Sequence, residues 1–155
     1  FMKVVLQRVK SAYVKVDSDV ISEVGNGYLL LWGIEEADSE VESEILINKI
    51  LNFRVFSDEN LKMNKSIIDI SGEILIVSQF TLAGKFLKGN RPSFVNAKSP
   101  EVAEKMFLKI VEEFSKHVTA KTGSFGAMMD VGLVNDGPAT FVLTARNGQL
   151  IDQAD

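Results

Sequence analysis

The run Ile74-Leu75-Ile76-Val77 is apolar at every position, and it restricts the possible folds more than any other feature of the chain. A strand with no polar face must be covered on both sides, so it belongs inside a sheet that is packed on both faces. Apolar and polar residues nearly alternate from Val4 to Val16, and a short apolar run follows at Tyr28–Trp32. With a tight turn expected at Gly25-Asn26-Gly27, the opening third predicts three successive strands.

Two segments have the start signals and the spacing of amphipathic helices. Ser39-Glu40-Val41-Glu42 has the form of a capping box. The apolar positions behind it are Leu46, Ile47, Ile50 and Phe53. A second helix is predicted to begin with Ser99 as its N-cap and Pro100 at its first position. Its apolar stripe consists of Ala103, Met106, Phe107, Ile110, Val111 and Phe114. Both stripes predict packing against a core.

The last third of the chain predicts two further strands that close the domain. Apolar residues alternate around Met129–Val134 and again around Thr140–Leu143, with a turn expected between them at Asn135–Pro138. Together these patterns predict an α+β fold, with a mostly antiparallel β-barrel-like sheet covered by two main helices. We expect a single domain from 2 to 146. The polar segment 147–155 has no periodicity, which favours a disordered tail.

The residue inventory excludes several kinds of chemistry. The chain has no cysteine, so it can form neither disulfides nor zinc–thiolate sites. Its one histidine, His117, follows the second helix, where its charge would interact favourably with the helix dipole. No phosphate-binding glycine loop and no G-x-S-x-G motif occurs, and the acidic residues lack metal-ligand spacing. We therefore predict no metal and no cofactor, while a Ser-His-Asp triad stays open.

Charge and hydropathy bear on location and partners. No apolar run has membrane-spanning length and no signal sequence opens the chain, so we expect a cytoplasmic protein that does not enter a membrane. A formal net charge of −4 argues against coating nucleic acid. Residues 83–98 nevertheless carry four bases and no acid, namely Lys85, Lys88, Arg91 and Lys98. This stretch is either a solvated loop or an edge that touches a few phosphates.

Two polar segments remain as candidates for a site. Ser78-Gln79-Phe80-Thr81 directly follows the all-apolar strand, where side chains and backbone amides can be held within reach of a ligand. The same residues could simply satisfy the backbone at a strand end. Gly137-Pro138 fits an ordinary turn, and its X–Pro bond is also a candidate cis peptide.

At these two segments the chain resembles the D-aminoacyl-tRNA deacylases, the D-tyrosyl-tRNA deacylase family, whose motifs are S-Q-F-T-L and N-x-G-P-[VF]-T. They stand here as Ser78–Leu82 and Asn135–Thr140, with Ala139 in place of Val or Phe. The likeness runs from Met2 to Leu143. It includes Gln7-Arg8-Val9, Arg54–Asp58, Gly89–Phe94 and Thr122–Met129.

The resemblance implies an enzyme that hydrolyses the ester of D-aminoacyl-tRNA at the tRNA 3′ end, as a proofreading step in translation. It also implies a homodimer of β-barrel-like subunits whose active sites lie at the interface. In that picture Gly137 and Pro138, joined by a cis bond, enter the partner's pocket and select against L-residues. Thr140 belongs to the same substrate-binding motif.

The resemblance assigns the other site residues as well. Ser78, Gln79, Phe80 and Thr81 would line the pocket, with the Phe80 backbone amide near the scissile carbonyl. Phe125 and Met128 would flank the terminal adenosine. A pocket that excludes a side chain in one direction has nothing to exclude in glycine, so we expect cleavage of glycyl-tRNA too.

The chemistry does not require a strong base, because an aminoacyl ester is already activated. It needs an oxyanion donor, a positioned water molecule and orientation. In the family picture the neighbouring RNA 2′-hydroxyl helps to activate the water. A covalent intermediate on Thr81 or Thr140 is the alternative, although a threonine hydroxyl needs an adjacent base.

Two other functions compete with this interpretation. A non-catalytic RNA-binding module would use the basic 83–98 stretch, with Phe86 and Phe94 stacking on bases. A metal-independent esterase or peptidase would act on small molecules through a serine such as Ser78. Turnover of charged tRNA discriminates both from the deacylase.

Overall fold

The structure is a computed structural model that describes residues 1–152. Within this range it contains nine strands, two α-helices and one 3₁₀ turn. They are β1 Met2–Val16, β2 Asp19–Val24, β3 Gly27–Gly33, α1 Glu40–Asn52, β4 Phe56–Ser57, β5 Met63–Lys65, β6 Glu73–Ser78, the 3₁₀ turn Phe80–Ala83, α2 Pro100–Ser115, β7 Thr119–Thr122, β8 Asp130–Arg146 and β9 Gln149–Ile151. None of the described helices is long and apolar enough to cross a membrane.

One large sheet organises the molecule. Its strands lie in the order β7-β6-β3-β1-β8-β9, and β2 pairs with the far half of β1. The pairings of β6 with β3 and β7 are parallel, and the other pairings in this sheet are antiparallel. The predicted α+β fold, a mostly antiparallel sheet with two main helices, is confirmed.

Strand β6 is buried on both faces, as its sequence predicts. Ile74 and Ile76 belong to the core that α1 and α2 cover. Leu75 and Val77 point the other way, into a second core between the curled halves of the sheet. The sheet curls far enough to bring β2 against β6 and β7. There the Lys121 ammonium donates a hydrogen bond to the Glu23 carbonyl, at 2.9 Å.

The turn expected at Gly25–Gly27 is a bend instead. Strands β2 and β3 pair in succession with the same edge of β1, through Ala12 with Val24 and Val9 with Gly27. The chain therefore continues in one direction through residues 25–26. Gly27 is required because a side chain there would collide with the backbone of Glu73. The true reversal, between β1 and β2, lies at residues 17–18, where both φ angles are positive.

Both predicted helices form, but their N-termini differ. At α1 the capping box is present: the Glu42 carboxylate accepts a hydrogen bond from the Ser39 N–H at 2.8 Å, and the Ser39 side chain accepts one from the N–H of Val41. At α2 Pro100 takes the first turn as predicted, but the Ser99 side chain makes no capping hydrogen bond. Only the Ser99 carbonyl takes part, accepting from the Ala103 N–H at 2.9 Å.

The C-terminal segment differs from the expected disordered tail. Residues 149–151 form β9 and pair with 144–146 of β8. Asn147 and Gly148 both have positive φ, which is the requirement of a two-residue hairpin turn, and Asn-Gly is its usual sequence. The Glu42 carboxylate also accepts a hydrogen bond from the Gly148 N–H at 2.9 Å. Residues 153–155 lie outside the described range.

Replacing Phe114 by Ala tests the helix-covered core. Phe114 is fully buried, and its ring meets Trp32 edge-on at a centroid distance of 5.9 Å. We expect the substitution to lower the free energy of unfolding by about 3–5 kcal/mol, because it leaves a cavity. The matched control on the same helix is Leu108→Ala. Its side chain is 53% exposed, and surface changes of this kind usually stay within about 0.5 kcal/mol. Urea titration measures both, and equal losses would contradict the assignment of this core.

Candidate functional site

A cleft of about 720 Å³ opens at the carboxyl end of β6. The end of β6 with the following 3₁₀ turn, the start of α2 and the segment before β8 form its walls. The lining residues are Trp32, Ile34, Val77–Thr81, Phe94, Ala97–Pro100, Ala103, Phe125–Met129 and Val131. None of these is Asp, Glu or His, the usual general bases. The lining does include Lys98, whose amine donates a hydrogen bond to the Glu36 carbonyl at 2.9 Å.

Ser78–Thr81 brings side chains and backbone amides into the lining, because the sheet ladder ends here. The Gln79 N–H donates the last hydrogen bond, to the Trp32 carbonyl at 2.8 Å. The Gln79 side-chain amide then donates to the Thr81 hydroxyl. The 3₁₀ turn closes with the Leu82 N–H on the Gln79 carbonyl at 3.2 Å. Phe80 and Thr81 come before Leu82, the first residue whose N–H is bonded within the turn. Their own N–H groups therefore have no acceptor inside the turn.

Aromatic and sulfur side chains supply the apolar walls. Phe80, 58% exposed, meets Phe94 edge-on at 5.1 Å between ring centroids. Phe125 is half-buried and packs on Phe107, at 5.9 Å between centroids. Met128 is almost fully exposed at the rim. The structure thus brings Phe125 and Met128 to the same cleft as Ser78–Thr81, while their contacts with a substrate stay a prediction.

Gly137, Pro138 and Thr140 do not line this cleft in their own chain. All three are exposed on β8, in the middle of its pairing with β1. Gln7 pairs with Thr140 and Val9 with Asn135, so the four residues 136–139 stand opposite Arg8 alone.

The sequence prediction of two strands joined by a turn is therefore wrong at this point. Both halves of β8 run antiparallel to the same strand. Residues 136–139 are therefore a bulge within one strand, larger than the usual bulge of one extra residue. The peptide bond between Gly137 and Pro138 is cis.

Arg8, on the opposing strand β1, supports the bulge through its buried side chain. Its guanidinium is buried and donates from Nε to the Asp136 carbonyl at 2.8 Å, and from Nη1 to the Val55 carbonyl at 2.6 Å. The Asp136 carboxylate lies 3.8 Å from Nε and contributes charge. Sequence reasoning did not single out Arg8 as a positioning residue. The available signal was the alternation of β1, which places Arg8 on the same buried face as Met2, Val4 and Leu6, where an arginine must find partners.

Asn135 supports the bulge from within β8. Its side-chain oxygen accepts from the Ala139 N–H at 2.7 Å, and its nitrogen donates to the Thr140 hydroxyl at 2.9 Å. Gly137 itself has a φ of +144°, and a Cβ there would lie 2.9 Å from the Ala139 nitrogen and 3.0 Å from Arg8 Nη2. The bulge is thus a fixed backbone feature that requires glycine at this position.

The groups with displaced pKa values lie away from the cleft lining. Burial raises the pKa of the Asp38 carboxyl. The backbone N–H of Ser66 lowers the pKa of the Asp69 carboxyl. Within residues 1–152 no three His, Asp or Glu side chains come together as a metal site. The one histidine, His117, follows α2 and is not among the residues that line the cleft.

Comparison with known proteins identifies close relatives. The family model described as D-Tyr-tRNA(Tyr) deacylase matches residues 5–144. The D-aminoacyl-tRNA deacylase of Persephonella marina is 48% identical over 145 residues, covering 94% of this chain and 99% of the relative. The enzyme of the same name from an Exiguobacterium species is 50% identical over 143 residues, covering 92% and 97%.

Two solved structures have the same fold. One, titled c-Myc DNA Unwinding Element Binding Protein, superposes with a TM-score of 0.88 at 44% identity, covering 93% of this chain and 99% of the other. The second, a probable eukaryotic D-amino acid tRNA deacylase, has a TM-score of 0.76 at 16% identity, covering 91% and 97%. At that identity the second likeness shows the fold alone.

Asn135 offers a test of how the bulge is held. Asn135→Ala removes the acceptor of the Ala139 N–H, so we expect hydrogen exchange at this amide to become faster by about tenfold, as for a lost bond of ~1.4 kcal/mol. Asn135→Asp keeps an acceptor oxygen and should retain most of the protection. Amide exchange followed by NMR distinguishes them. Unchanged protection in Asn135→Ala would show that the bulge does not depend on this side chain.

Proposed function

The chain belongs to the D-Tyr-tRNA(Tyr) deacylase family, and from this membership we propose that it hydrolyses the ester bond of D-aminoacyl-tRNA. The products are free tRNA and the D-amino acid, so the enzyme removes wrongly charged tRNA before it reaches translation. The observation that carries the proposal is that the S-Q-F-T segment lines the cleft with its side chains and backbone amides. Charged tRNA is made and used in the cytoplasm, which is where we place the enzyme.

We propose that a water molecule attacks the ester carbonyl while backbone N–H groups stabilise the oxyanion that develops. The N–H groups of Phe80 and Thr81 have no acceptor within the 3₁₀ turn, which makes them the available donors. When the C–O bond breaks, the ribose oxygen leaves with a proton as the tRNA hydroxyl. The other product is the amino acid.

We assign uptake of the water proton to the RNA rather than to the protein, because none of the described residues that line the cleft is Asp, Glu or His, and the Lys98 amine donates to the Glu36 carbonyl. We assign this step to the neighbouring 2′-hydroxyl of the RNA, which accepts the water proton as it passes its own proton to the leaving ribose oxygen and is unchanged at the end. The alternative of a threonyl intermediate has weaker support. The Thr81 hydroxyl accepts a hydrogen bond from Gln79 and the Thr140 hydroxyl accepts one from Asn135, and an amide donor does not remove a proton from either.

We further propose that Gly137-Pro138 acts as a chiral filter in the cleft of a partner subunit. Three observations support this. The two residues are exposed, they lie outside the cleft of their own chain, and Arg8 and Asn135 hold the surrounding backbone from two sides. A homodimer is part of this proposal, since the filter must reach the cleft from a second chain.

A direct test offers D-aminoacyl-, L-aminoacyl- and glycyl-tRNA in parallel, without added metal. We expect the D-ester to be cleaved faster than its L-partner by on the order of 100-fold or more, because the filter excludes one direction of the side chain. Glycyl-tRNA should be cleaved as well, because it has no side chain to exclude. Release of labelled amino acid measures all three rates.

The outcomes of this test also separate the competing functions. Equal rates on D- and L-esters would contradict the filter. Binding of tRNA without turnover would favour a non-catalytic RNA-binding module. Turnover of simple esters, but not of charged tRNA, would favour a small-molecule esterase.

Subunit complementation tests whether the filter acts in the partner's cleft. Phe80→Pro removes the proposed oxyanion N–H and should lower kcat by about 10²–10³-fold. Gly137→Ala places a Cβ against Ala139 and Arg8 and should disable the filter. A mixed dimer of these two chains contains one site with both parts intact, so we expect about half of the wild-type selective activity per dimer.

One control and one contrary outcome define the result. Phe80→Leu keeps the backbone N–H and should retain most of the wild-type kcat. If each subunit used its own Gly137-Pro138, both sites of the mixed dimer would carry a defect. A mixed dimer without selective activity would therefore overturn the assignment in trans.

A further inference from the structure

Residues 85–93 form an exposed hairpin, which we name the basic hairpin. Lys85 and Ser93 close it with a pair of backbone hydrogen bonds, each 2.8 Å from N to O. Every residue from 85 to 93 is exposed. The side chains at its tip include Leu87, which is 93% exposed. A projecting segment of this kind does not contribute to either hydrophobic core, so its side chains are free to serve binding.

The charge of the hairpin is of one sign. It carries Lys85, Lys88 and Arg91 and no acidic residue. Within the described part of the chain none of these three cations forms a salt bridge. The protein as a whole has a net charge of −4, so the hairpin is a local exception to an acidic molecule. Such a surface attracts an anion to one place without binding polyanions everywhere.

The base of the hairpin is joined to the rim of the cleft. Phe94, the residue after Ser93, lines the cleft and packs on Phe80. A Cβ added at Gly84, the residue before Lys85, would lie 3.1 Å from the Phe94 ring, so this junction is closely packed. The hairpin that carries the cations therefore begins and ends beside the cleft.

We infer that the basic hairpin binds the phosphates of the single-stranded 3′ end of the substrate tRNA. This inference rests on the proposed function, since it requires a polynucleotide whose terminal ester occupies the cleft. The nucleotides next to the esterified one must leave the cleft across its rim, and the hairpin that carries the unpaired cations of Lys85, Lys88 and Arg91 is joined to that rim at Phe94. Contacts with phosphates hold the strand in place without reading its sequence.

The inference has a consequence that separates binding from chemistry. A substrate without phosphates, such as D-aminoacyl-adenosine, gains nothing from the hairpin. The hairpin should therefore affect the KM for tRNA and its dependence on salt, while the kcat for either substrate stays unchanged. A positioning role in the chemistry would lower kcat for both substrates.

The test compares Lys85→Gln/Lys88→Gln/Arg91→Gln with a control that removes three exposed cations elsewhere, Lys49→Gln/Lys62→Gln/Lys105→Gln. The slope of log(kcat/KM) against log salt is measured for D-aminoacyl-tRNA and for D-aminoacyl-adenosine. Three phosphate contacts to a single strand contribute a slope of about −2, so between ~50 and ~200 mM salt the wild type should lose about 20-fold more kcat/KM than the hairpin variant. The control should keep the wild-type slope.

Each outcome has one meaning. Activity of the wild type on neither substrate would overturn the proposed function itself. Activity of the wild type with equal salt slopes in the wild type and the hairpin variant would overturn the inference alone. A parallel loss on D-aminoacyl-adenosine would also overturn it, because that substrate carries no phosphate. Thermal unfolding verifies that both triple variants are folded, as expected for exposed side chains.

Discussion

Burial of both faces of β6 is the constraint on which the rest of the structure depends. Its residues alternate between two cores, with Ile74 and Ile76 under the helices and Leu75 and Val77 inside the curled sheet. Each such side chain stabilises the fold by about 1.5–3 kcal/mol when it is fully buried. The strand ends at Ser78 because the apolar run ends there. Two cores thus fix the point at which the backbone emerges into the cleft, and with it the position of the Phe80 and Thr81 amides.

The backbone is also held in place at the bulge of β8, here by polar side chains rather than by apolar packing. The two halves of β8 pair with one long strand, so the register on each side holds the ends of residues 136–139. Arg8 is buried beneath them and its donors are satisfied by backbone carbonyls rather than by a single carboxylate. A buried guanidinium without such partners would be strongly unfavourable. Arg8 and the bulge are therefore mutually dependent, since each satisfies the other.

The sequence predicts what local signals specify. The capping box of α1, the Pro100 start of α2 and the apolar run of β6 each act over a few residues, and the structure has all three elements. Features that depend on distant pairing are not predictable in this way. Asn135–Pro138 has the composition of a turn, and only the common partner β1 shows that it is a bulge.

The candidate site also has one part with a local sequence signal and another that depends on distant contacts. Ser78–Thr81 could be located from its place behind β6. Its meeting with Phe125, more than forty residues later, depends on how the segment before β8 folds back to the cleft. Only the resemblance to a family joins these segments at the sequence level. The hairpin at Asn147-Gly148 did have a local signal, but the polar composition of the tail concealed it.

A site built from backbone groups has a limit that the proposed function must accommodate. Backbone amides and the Gly137-Pro138 bulge can exclude a direction in space, but they do not measure the size or polarity of an amino-acid side chain. The apolar lining of the cleft adds contacts without hydrogen-bonding selectivity, and such surfaces discriminate by only about 1–3 kcal/mol per methylene. Selection of the correct substrate must then come mainly from its chirality and from its RNA. Under the proposed function, the surface around the cleft must therefore help the cleft to distinguish the ester of a tRNA from other esters.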